Sequence, residues 1–533
     1  MILGVWEGYR EGGRMAFHYV RAQRDQVLLL PVNMADWLEE GHLAWFVIDV
    51  VGRLDTRALH ARHPNDGAGR PAYDPDMMLA LLLYAYANGM RSSRRIEAAC
   101  RTDAAFRVIS AGLVPDHATF ARFVVDHEAA MEGLFVSGLR LCAAAGLVDL
   151  STVAIDGTKM GANASLRANH SIEWVHEAVG ALMAATVASE EAEAPSPGAA
   201  CDPMSAAEIR GTAARLARLI AAQAQIEAED AAAAEAMATK DEAATRQAEA
   251  GRRLAGRKPT DARAALARAE ADLAAARARA EAKAARRAGR EAAAAAAGRR
   301  LSGFAPGPDR RLAQAEQALA AARQAAARAN PAPRRRANVT DADSRIMKTR
   351  RGYLQGYNAQ VAADANQIVV AQMVSQDAND VALLAPMLKL LERNLALGAM
   401  TGVIEAVLAD AGYWSDDNAR LDVPALLLIA TQKDWKQRKA AREAGTTTGE
   451  APEGASVLEA MEHRLRTAEG AAAYARRSST AEPVFGNHKT NRNAPRFRRR
   501  GLAAVQAEWS FMNLGHNLGK LFEHWTPGLF NPA

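Results

Sequence analysis

Two apolar runs that each end in an aspartate constrain the fold of this chain more than any other feature. Val153 to Ile155 lead into Asp156, Gly157, Thr158 and Lys159, and Val407 to Ala409 lead into Asp410, Ala411, Gly412 and Tyr413. Short apolar runs bounded by turn residues read as buried strands. A carboxylate just past such a strand stands where oxygen ligands hold a hard divalent cation. The glycine within two positions of each acid lets backbone and substrate approach closely. A third acid, Glu482, precedes Pro483 and a basic stretch. Three such carboxylates suffice to hold two metal ions about 4 Å apart and to drive in-line displacement at phosphorus. The competing reading of each acid is a solvated loop carboxylate, the commonest fate of Asp and Glu.

The remaining signals order themselves around these runs. Residues 27–147 read as helical: Asp74 to Gly89 carries Met77, Met78, Leu81, Leu82 and Tyr86 at helical spacing, and Pro115-Asp116 opens another helix. Arg91, Arg94 and Arg95 lie near a joint between helices. That pattern suits either a helix-turn-helix with basic side chains near phosphates or an ordinary bundle with a solvated basic face. Residues 176–337 shift to Ala, Arg and Glu, with Leu266 and Leu273, then Leu312 and Leu319, at heptad spacing. Breaks at Gly256 to Pro259 and Gly303 to Pro308 predict three helices folded back on one another. This inserted arm, coiled-coil in character, suits dimerisation, reaching along DNA, or a passenger role.

Strand signals resume with a hairpin over Gly352 to Asp364 and Gln367 to Ser375. A helix over Asn379 to Leu397, the strand ending at Asp410, a short helix over Asp416 to Leu421 and a strand over Ala425 to Ala430 follow. A second, smaller insertion spans 436–470. With both insertions removed, the order is that of a ribonuclease-H-like mixed sheet. The predicted fold is therefore an α/β catalytic core (148–175 and 338–533), preceded by an all-α domain (27–147) and an N-terminal extension (1–26).

A length of 533 residues requires more than one core, and a composition 49% apolar and 24% charged reads as soluble. No uninterrupted apolar span reaches membrane length, and the charged start lacks a signal-peptide core, so a cytoplasmic, nucleoid-associated protein is expected. Cys100, Cys142 and Cys201 form no Cys-x-x-Cys pair, which disfavours disulfide frameworks and zinc knuckles. A net charge of +5 permits a polyanionic partner. No Walker-type phosphate loop is present.

At this point the chain resembles bacterial insertion-sequence transposases of the Asp-Asp-Glu type, and its N-terminal part resembles the helical domain of their InsH-like group. The N-terminal likeness rests on Leu28 to Asn33, Gly41 to Leu43, Tyr73 to Pro75 and Pro115 to Phe120. In the core it rests on Ile155 to Lys159, Asp343 to Met347, Gly356 to Gln360 and Ala409 to Tyr413, and near the C-terminus on Glu482 to Gly486 and Ala507 to Trp509. The resemblance implies a catalytic, metal-binding triad of Asp156, Asp410 and Glu482, and places the family's Tyr, Arg, Glu, Lys signature on Tyr474, Arg477, Glu482 and Lys489. It also implies two Mg2+ ions, with Mn2+ as a substitute. The substrates would be double-stranded DNA, as terminal inverted repeats and as target, handled by a homodimer that cuts ends and transfers strands. The alternatives are a ribonuclease-H-like nuclease without strand transfer, or a non-catalytic DNA-binding derivative.

Read as residues, Glu482 and Lys489 are seven apart and share a helix face, while Arg477 lies on another side of an ideal helix and needs either an irregularity near Pro483 or a different contact. Tyr474 suits either a phosphate contact or the core. Arg492, Arg496, Arg498, Arg499 and Arg500 suit a DNA backbone track or a solvated face; Arg334 to Arg336 could form a second contact. His488 and His516 lack metal-ligand spacing, and the run from Trp509 to Leu518 reads as core.

Overall fold

The computed structural model describes residues 33–61, 72–192, 206–249, 262–298, 309–328, 335–398, 402–432 and 445–526, with Met400 and Glu443. The N-terminal extension, most of the Leu28 to Asn33 motif, Arg334 and both expected breaks in the arm lie outside the described residues. The strands are β1 (Thr152–Gly161), β2 (Asn169–Ser171), β3 (Arg336–Asn338), β4 (Arg345–Thr349), β5 (Gly352–Asp364), β6 (Val369–Ser375), β7 (Ala406–Ala409) and β8 (Leu426–Ile429). Six of them form one mixed sheet in the order β4-β5-β1-β7-β8, with β6 also on β5. Because Gly356 pairs with both Gly161 and Arg345, β4 and β6 share the side of β5 away from β1. β1 is antiparallel to β5 and parallel to β7, and β7 is parallel to β8.

One expectation changes here. β1 does not stop before Asp156 but runs on to Gly161, because β5 keeps pairing with it from Val153↔Asp364 to Gly161↔Gly356. Asp156 is therefore a mid-strand residue. Asp410 does follow directly on its strand. The long insertion between β1 and β5 leaves their ladder unbroken.

The helix Leu502–Phe522 covers the sheet and closes its outer side. Asn517 accepts from Val369 N–H and donates to its carbonyl, both at 2.8 Å, and Gln506 accepts from Val374 N–H at 2.7 Å. These side chains satisfy backbone groups of β6 that would otherwise form a sticky edge. The same helix packs on Met131–Ala144 of the N-terminal region, where a Cβ on Gly138 would stand 2.3 Å from Leu514 Cδ1. Tyr86 meets Phe511 edge-on at 4.9 Å, and Phe46 meets Phe522 at 5.2 Å. One hydrophobic cluster thus runs from Ala44 to Leu521, so the N-terminal helices and the sheet share a core.

The arm is built differently. Its helices are Ile172–Ala192, Ala206–Glu249, Ala262–Ala296 and Arg310–Arg328, with the first starting right at the root. The root is the β2–β3 ladder, which ends at Ser171↔Arg336. Arg335 pairs with Glu229 and Asp230, and Arg345 with Glu229. A small cluster of Val175, Leu219, Ala222, Ile226 and Ala337 lies beneath. Farther out, Leu273 and Leu319 meet with Leu266 and Leu312 beside them, so the heptad leucines do face one another. The smaller interruption gives way at Ser456: a capping box with Glu459 starts the helix Val457–Arg466, whose Met461 is in the main core. No helix among the described residues is long and apolar enough to cross a membrane.

Candidate active site

The register of two parallel strands builds the site. β1 and β7 pair from Thr152↔Ala406 to Ile155↔Ala409 and then part, so Asp156 and Asp410 are the next residues on neighbouring strands. Asp410 accepts from Gly412 N–H at 2.8 Å, which fixes the turn after β7. Asp156 accepts from Gly157 N–H at 2.7 Å and from Arg477 Nη1 at 3.2 Å, and its side chain is 14% exposed. Burial, and then the negative charge of Asp410, push its carboxyl up to about 7, against the pull of Arg477. Two crowded oxygen donors, one resisting ionisation because it is buried beside a second carboxylate, fit a hard divalent cation.

Glu482 arrives on an interrupted helix. The segments Arg477–Thr480 and Glu482–Gly486 are separated at Ala481, Pro483 sits in the first turn of the second, and a π-turn Asn487–Asn491 follows. The irregularity lets Arg477 reach both acids: its side chain is 5% exposed, and its Nη2 lies 3.5 Å from Glu482. Glu482 itself is 57% exposed. Within the π-turn, Lys489 donates to Thr158 Oγ1 and, at 3.4 Å, to the Lys159 carbonyl, two and three residues past Asp156 on β1. Burial lowers the Lys489 pKa, and Asp156 opposes that shift. The Tyr474 ring lies 6.0 Å from the Arg477 guanidinium.

Behind the two aspartates is a group that the sequence reading missed. Asp380 Oδ1 accepts from Asn358 at 2.6 Å, Gln360 at 2.9 Å and Lys159 at 3.3 Å. Tyr413 donates to the other end of Gln360. A Cβ on Gly157 would fall 2.0 Å from Gln360 Nε2, and one on Gly412 would lie 2.9 Å from Asp410 Oδ1 and 3.1 Å from Asp380 Oδ2. The glycines beside both acids thus make room for this carboxylate. The signal was in the sequence, as the polar Asn358 and Gln360 alternating within an apolar strand.

The basic residues divide. Arg91 is buried, pairs with the buried Glu508 at 3.3 Å and donates to the Arg496 carbonyl at 2.9 Å. Arg492 donates to the Gly515 carbonyl at 2.9 Å, and Arg499 pairs with Glu128 at 2.6 Å. These three spend their guanidinium groups inside the protein. Arg94, Arg95, Arg496, Arg498 and Arg500 are on the surface. Glu508 accepts from the backbone N–H groups of Arg498 and Arg499, which shapes that segment. His488 and His516 are buried, and burial drives both pKa values down, so both are neutral. Among the described residues, the acids and histidines drawn to mutual ligand distance are the largely exposed His60, Asp74 and Asp76; Asp156, Asp410 and Glu482 are not gathered so tightly, and Arg477 stands between the first and the last.

A family model described as a transposase domain matches residues 32–126, and one described as a transposase DDE domain matches residues 435–522. The first covers the N-terminal helices as far as Asp126; the second contains Tyr474, Arg477, Glu482 and Lys489, while Asp156 and Asp410 lie outside both. Searches of curated proteins and of solved structures found no match. Both matched segments are transposase domains, and together they support an insertion-sequence transposase of the DDE type.

Proposed function

We propose that this transposase binds the ends of its own element, cuts them and joins them to target DNA by phosphoryl transfer, using a ribonuclease-H-like core. The observation that carries the reading is the β1–β7 register, which brings Asp156 and Asp410 side by side with Arg477 tying Glu482 to them. The β6-β5-β1-β7-β8 path, antiparallel on one side of β1 and parallel on the other, supports the ribonuclease-H-like fold.

Asp156, Asp410 and Glu482 would hold divalent cations, Mg2+ or Mn2+, which supply Lewis acidity and an activated water or hydroxyl nucleophile. The chain's own residues do the rest. Lys489 sets an ammonium group beside Asp156, where it would bind a non-bridging phosphate oxygen. Asp380 accepts from Lys159 and Gln360 and so fixes both side chains. Arg477 holds Asp156 and Glu482 together against their mutual repulsion.

The test is a duplex carrying the terminal inverted repeat, incubated with the protein, Mg2+ and a target plasmid. Cut ends covalently joined to the plasmid are expected. Cutting without joining would favour the nuclease alternative, and binding without cutting would favour the non-catalytic derivative.

A further inference from the structure

The hairpin formed by β4 and β5 projects beyond the end of β1 with a face that the site does not use. Its inner face is core: Met347 is fully buried. Its outer face carries Ile346, 49% exposed, and Tyr353, 64% exposed and paired across the ladder with Lys348. The tip is rigid, because Thr349 Oγ1 donates to the Gly352 carbonyl and accepts from Arg351 N–H. Gly352, at φ 116°, supplies the backbone shape that an L side chain rarely adopts. The tip therefore presents Arg350 and Arg351 outward. Among the described residues, the side chains of Lys348, Arg350 and Arg351 form no ion pair.

Asp156 lies opposite Val361 on β5, and the tip is about ten residues farther along the same strand. At about 3.3 Å per residue the tip stands roughly 30 Å from the acids. One turn of B-DNA spans about 34 Å, so two contacts on the same face of a duplex recur at about that distance. The ground between is basic too: Arg496 and Arg500 are held to the Ala162 and Asn163 carbonyls just past β1, with Arg498 beside them.

We infer that the β4–β5 hairpin grips the phosphate backbone of the end duplex about one helical turn from the point where the acids cut it. Lys348, Arg350 and Arg351 supply the charge, and Tyr353 supplies a flat polar-tipped ring against sugar or phosphate. This rests on the reading of the site as a DNA-cutting centre.

The experiment is hydroxyl-radical footprinting and a salt titration on a duplex carrying the terminal inverted repeat, with the full chain and with K348Q/R350Q/R351Q. The full chain should protect the cleavage point and a second patch about one turn away. The triple variant should lose the second patch alone, and its slope of log affinity against log salt should flatten by about two to three units. A duplex ending about half a turn from the cleavage point should be bound equally by both proteins. Tyr353→Ser, which keeps every charge, should weaken the second patch and leave the slope unchanged. Identical footprints and slopes for the full chain and the triple variant would overturn the inference. So would a loss confined to target DNA, or a changed oligomeric state with an unchanged footprint. If the full chain protects the cleavage point and no second patch, the hairpin inference alone fails; if it protects no duplex, the reading of the site fails and takes the hairpin with it.

Discussion

Trp509, Tyr357 and Tyr413 are fully buried around the six-stranded sheet, and with them sit charged and amide groups: Arg477, Glu508, Gln360 and Asn513. In the arm, the described core reduces to two small clusters, built on Leu219 and Ile226 near the root and on Leu273 and Leu319 farther out. The sheet region encloses enough apolar volume to bury charge and hold it by geometry. The arm's alanines favour helix locally but bury little each, so its long helices depend on their own propensity and on a narrow leucine seam. Only the first kind of region can crowd two aspartates together. That difference separates where this protein can hold charge away from water from where it can only extend.

The largest expected effect tests the crowding itself. Asp156→Asn should cut end cleavage by at least about a thousandfold, since the amide removes the charge that holds a cation, while end binding stays within a few-fold. Near-normal cleavage in a gel assay would remove the sheet's claim to the chemistry. Next comes packing: Trp509→Ala should cost about 3–5 kcal/mol, whereas Leu273→Ala should cost less than about 2 kcal/mol, with the loss confined to the arm. Chemical denaturation with hydrogen exchange resolves the two, and a core that loosens with Leu273→Ala would erase the contrast.

A smaller effect lies in pH. Burial raises the carboxyls of both Asp156 and Asp364 to about 7. A carboxyl with a folded pKa above its unfolded value near 4 binds its proton more tightly when folded. The stability it adds is complete below pH 4 and is lost as pH rises to 7. Between pH 4.5 and 7.5 these groups should therefore lower stability by at most about 3 kcal/mol each. Asp156→Asn should remove part of that slope; an unchanged slope would mean that Asp156 titrates normally. The smallest effect should come from the largest cut. Because Ser171 pairs with Arg336, joining them through a short Gly/Ser turn should excise the arm and leave core stability within about 1–2 kcal/mol. An insoluble product across several linker lengths would show that the arm is part of the core.

Much of this could be read before the fold was seen. Local patterns carried the strands leading to Asp410 and along Gly352 to Ser375, and the heptad leucines that meet in the arm. They also carried the option of a helix irregularity beside Pro483. Other features were hidden because they depend on what lies opposite. β1 extends through Asp156 because β5 pairs with it, and Asp380 matters because Gly157 and Gly412 leave space that it occupies. Arg91, Arg492 and Arg499 looked like free basic side chains until Glu508, Gly515 and Glu128 were found facing them.

By itself, the sequence determined the strands that lead to Asp156 and Asp410, the hairpin from Gly352 to Ser375 and the place where an Ala-rich arm interrupts them, because propensity and periodicity act over a few neighbouring residues. Only the tertiary structure decided that Asp156 stands beside Asp410, that Arg477 spans two acids, and which arginines remain outside. Those outcomes depend on strand register and on burial, and both are set by contacts between residues hundreds of positions apart.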